Sequence, residues 1–297
     1  MKHSIIILFI SILASCNVPT ITEIDYGSNQ QVGKYMDIDD IRIYYEIYGE
    51  GIPLLLFHGN GGSIQNFEFQ IPELSKHFKV IAVDSRAQGR STDSNKEITY
   101  DLMASDMNEL INKLNLDSVS IFGWSDGGNI GLELAYAHPE KIKKLVTLGA
   151  NYTHINYMAE EDSVNLAPND PMIGKIKAIR QKRATKASDR LTPIPTKSPE
   201  TQKKLNDLME NYPNFTEEQL SQIKIPTMVV VGDHDLINLD HAVKLSRSLP
   251  HSELFVVPGA THVVLWEQPE LINSEIIKFI KAPFRDFDRY YIYKIPK

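Results

Sequence analysis

The chain has 297 residues, 42% hydrophobic and 23% charged, an ordinary globular composition with enough length for a sizeable core. It is too short for several large domains and suits one domain carrying an insertion. Its formal charge of −7 argues against a nucleic-acid partner, which needs a basic face. The chain opens on MKHSIIILFISILASC, where one lysine precedes an apolar run from Ile5 to Leu13 and small residues lead to Cys16. That run is too short to cross a bilayer as a helix and reads as the core of a secretory signal.

The stretch Leu13, Ala14, Ser15, Cys16 resembles the bacterial lipobox, in which the chain is cut before the cysteine and its thiol is acylated. The resemblance implies a signal peptide over 1–15, lipidation at Cys16, and an extracytoplasmic protein held to a bacterial membrane by more than one lipid chain. Cys16 is also the sole cysteine, so no intrachain disulfide forms. Residues 16–33 are polar and aperiodic and read as a tether.

From Lys34 the pattern becomes regular. YMDIDDIRIYYEIYGEG alternates apolar and polar residues around Asp39 and Asp40, which suggests a hairpin. Short apolar runs follow at 53–57, 79–84, 119–123, 144–149, 226–232 and 253–259. Continuous apolar strands imply burial on both faces, as in a parallel sheet covered by helices. Helical stretches at 100–114, 129–137, 239–249 and 269–281 separate most of them, and the alternation argues for an α/β fold. The rhythm breaks between 151 and 224, a polar, proline-broken segment that reads as a helical lid inserted into a core of 34–150 and 225–282. Its basic run KIKAIRQKRATKASDR reads as a solvated lid helix, with anionic lipid or an acidic substrate as the other reading. Residues 283–297 form an aromatic C-terminal extension.

The chemistry starts at Ser125. In VSIFGWSDGGNIG it stands between an apolar strand and a helix, in the Gly-x-Ser-x-Gly pattern of a nucleophile elbow. A serine hydroxyl needs a base, and His262 follows the last strand, where the order serine, acid, histidine places it. The imidazole needs a carboxylate, and VVVGDHD offers Asp233 and Asp235. Asp235 has more loop with which to reach the histidine, and Asp233 suits a turn cap. The other sheet position that could supply an acid holds Asn151. Two backbone donors are needed for an oxyanion: the N–H of Asp126, after the nucleophile, and one from the glycine-rich loop HGNGGS, assigned to Asn60. That loop lacks the lysine of a phosphate-binding loop, and Ile64 stands at the sixth position of a Gly-x-Gly-x-x-Gly.

HGNGGS, VDSRAQGRS, GWSDGG, GDHD and GATH…WEQPE together resemble the α/β-hydrolase superfamily over about residues 34–282, and the stretch from GWSDGG to GANY is similar to its biphenyl hydrolase-like, or valacyclovir hydrolase-like, branch. The resemblance implies an eight-stranded, mostly parallel sheet of order 1-2-4-3-5-6-7-8 with strand 2 antiparallel. Ala87 stands where the family's loop carries glycine, which leaves the shape of that loop open. The implied function is hydrolysis of a small-molecule carboxylic ester by Ser125, His262 and Asp235, without cofactor or metal. Amidase or peptidase, C–C hydrolase and perhydrolase chemistry use the same residues, and a non-catalytic surface binding module is the reading from another class. Trp124 reads as packing beside the elbow or as a substrate contact. The Asp126 side chain reads as a helix cap or loop bond, or as a partner for a substrate ammonium group.

Overall fold

The computed structural model describes residues 24–155, 157–158 and 197–285, with 171, 174, 175, 177–179 and 181 of the insertion. The expected signal peptide, Cys16, much of the lid with most of its basic run, and 286–297 lie outside the described residues. The strands are β1 (Gly33–Ile38), β2 (Ile41–Tyr48), β3 (Pro53–Phe57), β4 (Lys79–Val83), β5 (Val119–Trp124), β6 (Ile142–Leu148), β7 (Thr227–Gly232) and β8 (Ser252–Val257). They form one sheet of order β1-β2-β4-β3-β5-β6-β7-β8. Only β2 pairs antiparallel, with β1 and with β4; the other pairings are parallel.

Among the described residues the α-helices of known bounds are α1 (Ile71–Leu74), α2 (Tyr100–Lys113), α3 (Asp126–Ala137), α4 (Pro199–Asn211), α5 (Glu217–Leu220), α6 (Leu239–Ser248), α7 (Val264–Glu267) and α8 (Pro269–Lys281), and the described residues from 171 to 181 are helical as well. Strand side chains alternate between faces, so each central strand serves two cores. Leu55 and Phe57 of β3 pack with Met103 and Leu110 of α2, Ile130 of α3 and Leu245 of α6. Leu54 and Leu56 pack with Ile71 and Leu74 of α1 and Ile276 and Phe279 of α8. Each of these four strand residues is fully buried, contributing roughly 1.5–3 kcal/mol from the hydrophobic effect. Local signals set the helix limits. Thr99 Oγ1 accepts the N–H of Leu102 to start α2, and Pro269 at the first turn of α8 needs no donor.

The tether expected over 16–33 is corrected at its C-terminal end. Residues 24–33 are fastened to the body by Glu46 of β2, whose carboxylate is fully buried. It accepts the N–H groups of Gly27 and Asn29 at 2.9 Å each and the hydroxyls of Tyr44 and Tyr48 at 2.7 and 2.8 Å. Arg90 adds bonds to Gly27 O and Ser28 Oγ at 2.8 and 2.9 Å. A polar, aperiodic stretch looks free in sequence; its order comes from main-chain donors meeting a carboxylate that would otherwise be buried without partners.

Between β6 and β7 the chain leaves the sheet and returns through α4 and α5. Helix α4 is latched to the body: Asp93 Oδ2 accepts from Thr201 Oγ1 at 2.8 Å and from Lys204 Nζ at 3.3 Å.

Candidate active site

The loops after β3, β5, β7 and β8 bring Asn60, Ser125, Asp235 and His262 to the carboxyl edge of the sheet. Ser125 has φ 54° and ψ −123°, a conformation costly for any side-chain-bearing residue, on the order of 1–3 kcal/mol. Surrounding main chain enforces it. The N–H of Ser125 donates to Leu148 O at 2.8 Å and its carbonyl accepts from Gly128 N at 2.7 Å. The turn closes because Gly123 and Gly127 lack Cβ atoms; one on Gly127 would lie 1.9 Å from Phe57 O, and one on Gly123 would lie 2.2 Å from Gly127 O.

His262 sits between β8 and α7. Its Nδ1 lies 2.7 Å from Asp235 Oδ1. A carboxylate can only accept, so Nδ1 is the donor of this bond. Asp235 Oδ1 also accepts from Ile237 N at 3.0 Å, while the buried Oδ2 has no hydrogen-bond partner among the described residues. Asp233 takes the other role: its Oδ1 accepts the N–H of Ala260 at 3.2 Å, holding the neighbouring loop, and bonds of this kind lower its pKa. Ser125 Oγ makes no hydrogen bond among the described residues, but Ser125 and His262 line one cavity of about 220 Å³. Nucleophile–base contacts commonly tighten only when substrate binds.

The glycine-rich loop is fixed from below. Buried His58 accepts from Ser85 N through Nε2 at 3.0 Å and donates through Nδ1 to Gly59 O at 2.8 Å; burial pushes its pKa down to about 4. The fully buried Asp84 accepts from Ile64 N and Arg90 N at 2.8 Å each, tying this loop to the one after β4. Gly61 N donates to Gln88 Oε1 at 2.6 Å and Gly62 N to Gly59 O at 3.0 Å, and Gly59 packs on the Ser125 Cβ. The N–H groups of Asn60 and Asp126 donate to no described group. The side chain of Asn60 donates to Leu205 O of α4 at 2.9 Å and also bonds the Asp126 carboxyl. Ala87 keeps the left-handed turn of the second loop, with φ 63°.

Asp126 is 5% exposed and lines the cavity. Burial raises its pKa to about 6, against the opposing influence of Tyr100, His262 and Asn60. The carboxyl bonds the Tyr100 and Asn60 side chains, while its buried Oδ2 accepts no hydrogen bond among the described residues. Trp124 lines the same cavity but spends its indole N–H on His262 O at 2.9 Å. Sequence reasoning missed Tyr100, Tyr157, Met209 and Tyr212, which close the cavity from α2 and the insertion. No local pattern marks them, because their convergence depends on how separate elements pack. No group of three or more His, Cys, Asp or Glu suited to a metal occurs among the described residues. No helix among them is long and apolar enough to cross a membrane.

A family model for the alpha/beta hydrolase fold matches residues 52–189. The AB hydrolase superfamily protein YisY of Bacillus subtilis is 28% identical over 271 residues, covering 84% of this chain and 99% of that protein. The 2-hydroxy-6-oxo-6-(2'-aminophenyl)hexa-2,4-dienoic acid hydrolase of Metapseudomonas resinovorans is 27% identical over 275 residues, covering 84% of this chain and 91% of that protein. Among solved structures, a meta-cleavage product hydrolase of Pseudomonas fluorescens superposes with a TM-score of 0.70 at 20% identity, covering 85% of this chain and 98% of the other. With the strand order and the serine-bearing turn after β5, these likenesses give the chain the α/β-hydrolase fold and support a hydrolase of that fold.

Proposed function

We propose that the chain is a serine hydrolase cleaving a small-molecule carboxylic ester through an acyl-enzyme. The observation that carries this is the Asp235–His262 pair, bonded at 2.7 Å, on the wall of the cavity that also holds the strained Ser125. Ser125 Oγ attacks the carbonyl carbon while its proton passes to His262 Nε2. The negative oxygen formed is received by the N–H groups of Asn60 and Asp126. As the intermediate collapses, the C–O bond to the leaving alcohol breaks and the alcohol takes the proton from His262. Water, deprotonated by the same nitrogen, then releases the acid and restores Ser125. No cofactor enters these steps.

The cavity supports a substrate class as well. A carboxyl on the cavity wall beside the nucleophile, bonded from Tyr100 and Asn60, is complementary to a substrate ammonium group, and such a charge-assisted contact contributes about 1.5–3 kcal/mol. The reading is therefore an esterase favouring α-amino or otherwise cationic acyl groups. We also propose that Cys16 carries lipid and holds the enzyme to a membrane outside the cytoplasm; Cys16→Ala should release it from membranes or block processing.

Purified enzyme should be labelled at Ser125 by a fluorophosphonate and hydrolyse an aminoacyl ester faster than a matched neutral ester. Ser125→Ala should abolish labelling and turnover, and Asp126→Asn should lose the aminoacyl preference alone. Labelling that persists in Ser125→Ala would overturn the mechanism. Equal losses on both esters in Asp126→Asn would overturn the substrate class.

A further inference from the structure

A base carried on a loop has no ladder or helix bonds of its own to aim it. The loop of His262 is gripped by two side chains that the proposed proton transfers do not use. One residue before the histidine, Thr261 gives its backbone N–H and its hydroxyl to the two oxygens of Glu267, at 2.8 and 2.7 Å. Glu267 is itself buried, at the end of α7. At the histidine, the Trp124 indole N–H reaches the main-chain carbonyl at 2.9 Å. The Trp124 ring stands 5.8 Å from the imidazole and 5.3 Å from the ring of Trp266, which in turn donates to Asn66 O at 2.8 Å. Gly149 also approaches closely: a Cβ there would come within 2.8 Å of the imidazole.

We propose that Trp124 and Glu267 are positioning residues that set the backbone at 261–262 and so aim His262 Nε2 at Ser125; this rests on the acyl-transfer role proposed for that pair. Trp124 directly precedes the nucleophile, so one residue ties the base to the strand that presents the serine. Glu267 fixes the preceding residue from the opposite end of the loop, through two bonds that leave Thr261 little freedom to rotate. With both in place the imidazole is held at its backbone as well as by Asp235.

The consequence is a graded loss of rate. A displacement of about 1 Å between reacting groups costs on the order of 100-fold in rate. The displaced imidazole also serves as the acid for the leaving alcohol. An alkyl alcohol needs that proton more than a p-nitrophenolate does, so a misaimed histidine hurts an alkyl ester more than an aryl ester of the same acid. A purely structural role would reduce the number of working sites and leave that ratio alone.

The test uses Trp124→Phe, which keeps an aromatic ring and removes the N–H, with Glu267→Gln and Thr261→Val. Rates are taken per fluorophosphonate-titrated site on an ethyl and a p-nitrophenyl ester of one acid. We expect kcat to fall about 10–100-fold with KM within about threefold, and the ethyl-to-p-nitrophenyl ratio to fall further. The low-field proton signal of the His262–Asp235 hydrogen bond should move or broaden in each variant, a readout independent of turnover. Thr261→Val, the mildest change, keeps the test open should Glu267→Gln fail to fold. Wild-type rates per site with an unmoved proton signal would overturn the proposal, as would equal losses on both esters. Failure of the reaction itself is read separately, on wild type and Ser125→Ala.

Discussion

Around Ser125 the chain is held by main chain: a donor to Leu148 O, an acceptor for Gly128 N, and a glycine pressed against Phe57. Around His262 main-chain bonds from His234 N to Ala260 O and from Val264 N to Thr261 O are joined by side chains: Asp233 on Ala260, Glu267 on Thr261, Trp124 on the histidine carbonyl and Asp235 on its ring. Main-chain packing has no intermediate setting, because an added Cβ has nowhere to go. Side-chain bonds can be removed one at a time, and most are worth about 1 kcal/mol each. The serine side should therefore fail all at once, and the histidine side by degrees.

The sharpest break lies within the histidine side, where two carboxylates two residues apart have unequal duties. Asp235→Asn should lower kcat about 10⁴-fold, because an amide does not hold the imidazole in the tautomer that leaves Nε2 free. Asp233→Asn should cost less than about tenfold, since its oxygen can still accept from Ala260 N. Ester hydrolysis at saturating substrate checks both. The two sides are then compared directly by stability. Gly127→Ala should destabilise the fold by about 4 kcal/mol or more, against about 1 kcal/mol for Thr261→Val, each measured by urea denaturation.

A third measurement probes the floor of the cavity. Burial raises the Asp126 pKa to about 6 from an ordinary 3.8. A raised carboxyl pKa favours folding fully below the unfolded value, and that contribution disappears as pH rises through about 6. Above it, holding the charged form in the fold costs about 2–3 kcal/mol. Asp126→Asn should therefore stabilise the protein by about that amount at pH 8 and very little at pH 4, seen as a Tm gain present only at the higher pH. A functional carboxylate kept at the expense of stability is common at active sites. The smallest effect is expected at Ala87. Relieving its left-handed conformation is worth about 1–2 kcal/mol, offset by about 0.8 kcal/mol for the buried methyl and about 0.4–1 kcal/mol of chain entropy. Ala87→Gly should move stability by less than about 1 kcal/mol in either direction by urea denaturation.

The same division explains what the sequence discloses. Strand β3 matches its apolar run residue for residue, and α8 its periodic stretch, because burial on two faces or on one leaves a local pattern. The elbow is legible because its glycines are neighbours in the chain. Loop length singles out Asp235 over Asp233, and the 2.7 Å bond joins Asp235 to His262. The grip on His262 is not legible. The Trp124 bond spans 138 residues and the Asn60 bond to α4 spans 145, and neither donor type nor spacing announces its acceptor. Residues 24–33 mislead for a related reason: their partner, Glu46, is a charged residue inside a strand, which composition alone reads as surface.

The carboxylate of Glu46 also sets a length. If the whole of 16–33 were slack, the body could stand about 60 Å from a lipid on Cys16, at roughly 3.4 Å per residue. Fastening Gly27 and Asn29 leaves at most the chain before Gly27 to pay out, about 37 Å at full stretch. With the lipid where we propose it, the catalytic body works as a short-leashed enzyme, drawing substrate from the layer just above the membrane rather than from the bulk beyond it.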